Sequence, residues 1–402
     1  MDVLNYILLP ATAYYIKRAK LRIYFVLHKK KRIFAEKYKT NMLHSKLTAE
    51  QVAQAHTLIN NANRIVILTH LSPDGDAMGS SLGMRHYLEQ IGKTDVRVIV
   101  PNAFPSFLRW MPGAKEVMIY DTQKAEADAF LENAQLVICT DFNEPKRIGT
   151  LGDKLVSLTC PKIMIDHHLH PAGFADVTMS YPDSASASEL VYRFIYQSMN
   201  AGECAFPIDQ LNVDTATCLY TGMMTDTGNF SFNSNHPEMY EIVGQMVSLG
   251  VNKDAVYDNV FNNYSADRMR LMGYCLYQKM RIYPEYHTAL IYLSRKELYR
   301  FNFQSGDAEG IVNLPLQIGN IYYSCFMRED KTTAAEREQH GGEKTKIKIS
   351  LRSQGNRPVN VFANEIFNGG GHANASGGEY YGALPKAVEH FLHNYEHYFK
   401  KE

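Results

Sequence analysis

Thr69 to Ser81 reads THLSPDGDAMGSS and puts His70, Asp74 and Asp76 within seven residues of one another. A third acid, Asp141, follows in CTDFNEP, and Asp166, His167 and His168 follow in MIDHHLHP. Asp226 stands in MMTDTGNF. Five carboxylates and two or three imidazoles brought to one place would repel one another and could not all stay ionised unpaired. One or two divalent cations would neutralise them. A mixed carboxylate and imidazole donor set suits Mn²⁺ or Fe²⁺ better than Zn²⁺, which favours thiolate. Two such ions about 4 Å apart are the machinery of phosphoester hydrolysis, because they activate water and take up charge on the attacking and leaving oxygens.

The elements that would position these residues can be read from the surrounding pattern. The apolar run Arg64 to Thr69 precedes the first cluster, Leu136–Thr140 precedes Asp141, and Lys162–Ile165 precedes Asp166. Further short apolar runs lie at Val96–Val100 and Val117–Tyr120. Helical stretches between them, beginning with Ala77 to Ile91, predict strands alternating with helices. That pattern predicts an α/β fold: a mostly parallel sheet with helices on both faces. In such sheets ligands bind beyond the carboxyl ends of the strands, and three of the clusters fall there. Asp226 closes a helical run from Asn212 to Thr225 that is otherwise apolar or uncharged.

Each piece alone has a plainer reading. Asp74-Gly75-Asp76 could be a turn with a helix cap, Asp141 a strand-end cap, the histidines a satisfied polar pair and Asp226 a helix-terminal residue. Four such features in order, three of them directly after apolar runs, favour a site.

Ser186 to Arg281 reads as mostly helical, with Asn235-His236-Pro237 as a helix start. Beyond Arg281 the texture changes. Thr288–Leu293, Ile321–Met327 and Lys346–Arg352 read as strands; Asp307–Ile318, Pro358–Phe367 and Leu384–Phe399 read as helices. These predict a smaller C-terminal α/β domain. Arg328–Thr345, polar and charged, reads as an exposed hairpin loop. The organisation expected is a basic extension over 1–45, a metal-binding catalytic domain over 46–262, a helical linker over 263–281 and a nucleotide-binding domain over 282–402.

Gly369-Gly370-Gly371-His372 in the second domain would let backbone approach a ligand closely, with a helix starting near His372 to receive phosphate. Arg352, at a strand end, could grip phosphate bidentately. Alone, the glycines could equally make a tight turn and Arg352 could be a solvated edge residue.

Bulk composition narrows the setting. The 402 residues carry no formal net charge, so overall electrostatics names no partner. Residues 1–40, however, hold ten Lys/Arg against Asp2 and Glu36, about +8, which leaves about −8 on the rest. That extension could meet a membrane surface or nucleic acid, or the true start could be Met42. Six scattered cysteines with no C-x-x-C pair fit a reducing compartment and buried thiols. No apolar run reaches the roughly 18 residues of a spanning helix, so a cytoplasmic protein without an integral membrane span is expected.

Taken together, HLSPDGDAMGSS, CTDFNEP, IDHHLHP, TDTGNF and NGGGHANASGG resemble, in order, the motifs of the DHH family of phosphoesterases, named for Asp166-His167-His168 here. The resemblance spans about Arg64 to Gly378. The glycine-rich motif marks the DHH-associated second domain of the NrnA-like branch, which acts as nano-RNase and phosphoadenosine-phosphate phosphatase, and not the pyrophosphatase branch. Asn368 stands where the family often has a fourth glycine. Asn tolerates positive φ better than other side chains, so little change is expected.

The resemblance implies two Mn²⁺ ions. One would be held by His70, Asp74 and Asp141, the other by Asp76, Asp141, His167 and Asp226, with Asp141 bridging. It implies that Asp166 orients an imidazole, that His168 contacts substrate phosphate, and that Gly370, Gly371, His372 and Arg352 bind the nucleotide. The implied substrates are short oligoribonucleotides, linear dinucleotides such as pApA, and 3′-phosphoadenosine 5′-phosphate, with no stable nucleic-acid complex. Alternatives are a phosphatase of another small phosphorylated compound, or a nucleic-acid-binding protein with a vestigial site. Homodimers are common in the family, and nothing in these residues speaks to that.

Overall fold

The computed structural model describes residues 43–203, 206–332, 334–340, 342 and 345–399. The basic stretch 1–42, Cys204 and part of the polar insertion lie outside the described residues. Leu47–Glu402 form one unit that holds two sheets.

The first sheet is parallel throughout. Its strands are β1 (Arg64–Leu68), β2 (Asp95–Val100), β3 (Met118–Ile119), β4 (Leu136–Thr140), β5 (Lys162–Asp166) and β6 (Val177–Ser180), in the order β3-β2-β1-β4-β5-β6. Helices α1 (Ala49–Asn61), α2 (Gly75–Gln90), α3 (Tyr120–Glu132), α4 (Leu151–Ser157), α5 (Ala187–Asn200) and α6 (Val213–Asp226) accompany it. Every residue of β4 and β5 is buried, as expected of strands covered on both faces. The chain runs outward one way from β1 through β2 to β3, then returns to place β4 on the other side of β1. The reversal point between β1 and β4 is where an open parallel sheet offers a crevice. His70 and Asp141 follow those two strands.

Helices α7 (Pro237–Ser248), α8 (Lys253–Phe261) and α9 (Ala266–Tyr274) lead to the second sheet. It comprises β7 (Arg281–Tyr283), β8 (Thr288–Leu293), β9 (Tyr323–Asp330), β10 (Lys346–Ser353), β11 (Gly370–His372) and β12 (Ala375–Tyr381), in the order β11-β12-β10-β9-β8-β7. Only β8 and β9 pair in parallel. Period-2 alternation in β10 sends Ile347, Ile349 and Leu351 toward Phe362 and Phe367 of α12 (Asn360–Phe367) and Phe391 of α13 (Leu384–Phe399). Phe326 of β9 packs on the opposite side with Leu271 of α9 and Leu298 of α10 (Arg295–Arg300).

Four sequence expectations change here. No helix starts near His372: Gly370–His372 is a strand of the hairpin β11-β12. A Cβ on Gly369 would lie 1.8 Å from Gly377 O, so this glycine serves close backbone packing in the sheet. Low strand propensity of glycine hid both strands. Asp307–Ile318 forms only a 3₁₀ stretch, Ile311–Gln317, with Pro315 inside. Arg328–Thr345 is not one loop, since β9 runs to Asp330 and α11 (Ala334–Gln339) follows. The strand expected at Val117–Tyr120 shrinks to Met118–Ile119, because Tyr120 already opens α3. Strands β6 and β7 were not expected. No helix among the described residues is long and apolar enough to cross a membrane.

Candidate active site

His70 leaves the end of β1 with Nδ1 3.0 Å from Leu71 O. That contact favours the tautomer with a proton on Nδ1 and turns Nε2 toward Asp141 Oδ2, 3.2 Å away, and Asp74 Oδ1, 3.8 Å away. Asp74 is the N-cap of α2, its Oδ1 accepting from the amides of Asp76 and Ala77. The plain cap reading therefore holds, and the same side chain faces the imidazole. Asp76, in the first turn of α2, accepts from Ala187 N at 2.6 Å and Ser188 N at 2.9 Å, two amides opening α5.

A seam of glycines sets the approach of α2 to α6. Gly75, Gly79 and Gly83 recur every four residues on one face. A Cβ on Gly79 would lie 2.7 Å from Cys218 O and 2.8 Å from Gly222 Cα. The close contact brings the α6 terminus alongside α2, so that Asp226 Oδ2 stands 3.6 Å from His167 Nε2. The sequence reading missed this seam. Its signal was the four-residue glycine spacing in GDAMGSSLGM.

Asp141 occupies the centre. Its φ is +64°, a left-handed conformation uncommon outside glycine and concentrated at functional sites. Its amide donates to Ile165 O at 3.0 Å, and its side chain turns into the crevice. His167 Nε2 lies 3.5 Å from Asp141 Oδ1 and 3.7 Å from Asp76 Oδ2. His167 Nδ1 contacts Ser184 O at 3.2 Å. Asp166 receives both the amide of His168, at 2.9 Å, and its Nδ1, at 2.8 Å, which fixes that ring.

The segment Ser184–Ser188 thus touches His167 and Asp76 together. It is held in turn by Glu189, buried, whose carboxylate accepts from Ala185 N at 2.8 Å and pairs with Arg193 Nε at 2.7 Å. Arg193 also reaches Glu238 at 2.7 Å. In the sequence Ser186 only opens the mostly helical stretch, although Ser186-x-x-Glu189 has the spacing of a capping box.

The second sheet reaches the same place. The His372 ring lies 4.4 Å from that of His168 and 4.5 Å from that of His167, centroid to centroid. Arg352, in β10, feels the charges of Asp226 and Asp74 and donates Nη1 to Leu351 O. Gly370 and Gly371 lie in β11; Gly371 has φ +135° and backs onto Ala375 O. Asn368 takes φ +47° as the C-cap of α12, a conformation Asn tolerates.

Burial works against charge on each of these groups. It pushes the carboxyl of Asp76 well up, with Asp141 and Asp226 adding to it, and that of Asp226 up to about 7. Burial also works against the charged form of Asp141, but His167 and His70 outweigh it and hold that carboxyl well below its usual range. Conversely, the facing carboxylates overcome burial and raise His70 to about 10 and His167 well above its ordinary value. His168 is lowered by burial, and His372 falls to about 2 through burial and the adjoining imidazoles.

This donor set fits divalent cations. Two groups, His70 with Asp74 and Asp141, and Asp76 with Asp141 and His167, each bring their ligand atoms within 4.8 Å of one another. Asp141 belongs to both, and its Oδ1 is buried with no hydrogen-bond partner. Asp226 falls outside these groups while adjoining His167. His168 groups with Asp141 and Asp166, and also with His167 and His372.

Residues 64–223 match the family model described as DHH family, N-terminal domain, and residues 298–401 match the DHHA1 domain. A crystal structure of an exopolyphosphatase-related protein from Bacteroides fragilis is 44% identical, covers 89% of this chain and 99% of its own, and superposes with a TM-score of 0.79. The chain belongs to the DHH family of phosphoesterases. It is accordingly a metal-dependent phosphoester hydrolase. Among curated DHH relatives, the bifunctional oligoribonuclease and PAP phosphatase NrnA of Thermus thermophilus is 28% identical over 82% of this chain and 88% of its own length. The protein of the same name from Bacillus subtilis is 23% identical over 79% and 89%.

Proposed function

We propose that this DHH phosphoesterase binds two metal ions and hydrolyses short oligoribonucleotides, linear dinucleotides such as pApA, and 3′-phosphoadenosine 5′-phosphate. The products are mononucleotides, or AMP and phosphate. The observation that carries the reading is Asp141, one buried carboxylate shared by two donor groups, with His372 and Arg352 of the second domain turned toward the same crevice. The names of the NrnA relatives support the substrate class.

In this reading His70, Asp74 and Asp141 hold one ion, and Asp76, Asp141, His167 and Asp226 the other. The oxygen and imidazole donors suit Mn²⁺. Divalent ions held by these residues would supply a nucleophile from water at neutral pH and charge stabilisation at the phosphoryl oxygens. Asp166 accepts from His168 Nδ1, so Nε2 would donate to a phosphate oxygen once the ring is protonated, a state that an incoming phosphate anion favours. Arg352 supplies a fixed positive charge to a second phosphate. Such a crevice engages few phosphates, so salt dependence on a dinucleotide is shallow. The described cysteines are free thiols, which supports a reducing, cytoplasmic setting.

The test is product analysis over di- to decaribonucleotides, pApA, cyclic dinucleotides and 3′-phosphoadenosine 5′-phosphate, with Mn²⁺, Mg²⁺ or Zn²⁺. kcat/KM highest at about two to five nucleotides is expected, since the cleft is full by then. Efficiency rising steadily to tens of nucleotides would move the protein to a processive exonuclease. No release from any nucleotide by metal-loaded protein would refute the reading.

A further inference from the structure

A cavity of about 490 Å³ opens between α6, α7 and α8, beside the turn that follows Asp226. Its walls are aromatic. Tyr220, 3% exposed, is buried against it, while Tyr240 and Tyr257, 54% and 38% exposed, stand at its mouth. Phe230 lies between Tyr220 and Tyr240, with ring centroids 5.8 and 6.4 Å away.

The backbone that carries Phe230 is strained. Asn229 and Phe230 take φ of +57° and +59° in succession. For a bulky aromatic residue that is a genuine outlier, and such strain concentrates at functional sites. Two bonds hold the turn: Asn229 N donates to Met224 O at 2.7 Å, and Phe230 N to Thr227 Oγ1 at 3.0 Å. The same turn that ends α6 at Asp226 thereby puts an aromatic ring into the cavity wall.

The polar lining selects among occupants. Lys253 is already paired with Asp254, and Asp258 adds a second carboxylate. Two acids and one neutralised lysine repel phosphate and offer acceptors to ring N–H groups. Flat aromatic walls stack on any nucleobase regardless of identity. The volume lies within the range of small-ligand sites. Reach is also right. Phe230 is four residues beyond Asp226, at most roughly 14 Å of chain, and Tyr220 is six residues before it on the helix, about 9 Å along the axis.

We infer that this cavity receives a nucleobase of the substrate strand, one or two nucleotides from the scissile phosphate. The inference rests on the oligonucleotide reading above. Such a subsite binds a base by stacking and leaves its phosphate to the crevice, so it acts on KM and tolerates any sequence.

The test is an abasic scan. Tetraribonucleotides with a single abasic residue at each position in turn are hydrolysed by the wild-type protein and by Tyr240→Ser/Tyr257→Ser. The readout is the ratio of kcat/KM for intact over abasic substrate, which cancels any general loss in the variant. In the wild type the ratio should reach about tenfold at one position, mainly through KM. In the variant that ratio should fall to near one, with the ratios elsewhere unchanged. Identical scans for the two proteins would overturn the subsite. So would identical scans accompanied by a dimer-to-monomer change in sedimentation, which would make this face an interface between copies. A wild type that hydrolyses none of the oligonucleotides, yet cleaves bis-p-nitrophenyl phosphate, would remove the oligonucleotide reading and this inference with it.

Discussion

The imidazole of His372 stacks on that of His168, with ring centroids 4.4 Å apart and planes 23° from parallel. The family resemblance gives His372 a role in binding the nucleotide. The stack sets it beside His168, so we expect it to serve the reacting phosphate as well. His372→Ala should therefore lower kcat about a hundredfold, on bis-p-nitrophenyl phosphate as well as on dinucleotides. Arg352→Ala should act mainly on nucleotides. A His372→Ala loss confined to nucleotides, measured with both substrates side by side, would return it to a remote binding role.

Asp141 is shared between two donor groups, so one substitution should disturb both. Asp141→Ala should lower bound metal and cut kcat by several powers of ten, since the ions carry most of the charge stabilisation. Asp226→Ala should remove mainly one ion. Elemental analysis beside kcat decides the matter: two equivalents of metal and full activity in Asp141→Ala would end the assignment.

Glu189 touches neither candidate ligand directly. It holds the segment from which Ser184 O meets His167 and the Ala187 and Ser188 amides meet Asp76. Glu189→Ala should weaken Mn²⁺ binding ten- to a hundredfold, the size usual for partners that orient metal ligands. Glu189→Gln, which keeps an acceptor for Ala185 N, should recover part of it. Calorimetric titration of metal into folded protein reads this without activity, and equal affinities in all three proteins would exclude the positioning role.

Gly79→Ala tests the helix seam. The added methyl would meet main-chain atoms of Cys218 and Gly222, which cannot swing aside. A cost of roughly 1–3 kcal/mol is expected in urea denaturation, as for other overpacked contacts. Weaker metal binding should accompany it, because α2 carries Asp76 and α6 carries Asp226. Wild-type stability in Gly79→Ala would mean that the seam relaxes freely.

Glu297 supplies a pH-dependent tie in the second domain. Burial opposes its charge, but Tyr274, the Ser294 amide and Lys279 outweigh burial and hold the carboxyl at about 2, against an ordinary 4.5. A depressed carboxyl stabilises the fold above its unfolded pKa and loses that contribution as pH falls through the window from about 4.5 to about 2. The group is partly exposed, so solvent screening leaves on the order of 1 kcal/mol. Glu297→Gln should be less stable than wild type by that amount at pH 7, with the gap narrowing by pH 3. A gap independent of pH in denaturant titrations would assign the loss to packing.

Much of the first domain was legible before folding was considered. Buried parallel strands are short, continuously apolar runs, so β1, β4 and β5 declared themselves, and His70, Asp141 and Asp166 could be placed at their ends. Local periodicity carries that information because each strand's environment is uniform along its length. The order of the motifs carried the family. Strand β6 went unread because four residues with alternating burial give too short a signal.

Relationships between distant segments were decided only in three dimensions. Nothing local in NGGGHANASGG says that its glycines pair two strands, because glycine suits a hairpin and a ligand loop equally, and only the approach of Gly369 to Gly377 O chooses. Nothing near Asp76 announces that its carboxylate is held by amides more than a hundred residues away, at the start of α5. Nor does any pattern place His372 on His168, since a ring contact between residues about two hundred positions apart depends on how distant segments meet. Residue types and spacing determined which side chains could do chemistry. Packing of α2 on α6, and the contact of His372 with His167 and His168, decided which of them meet.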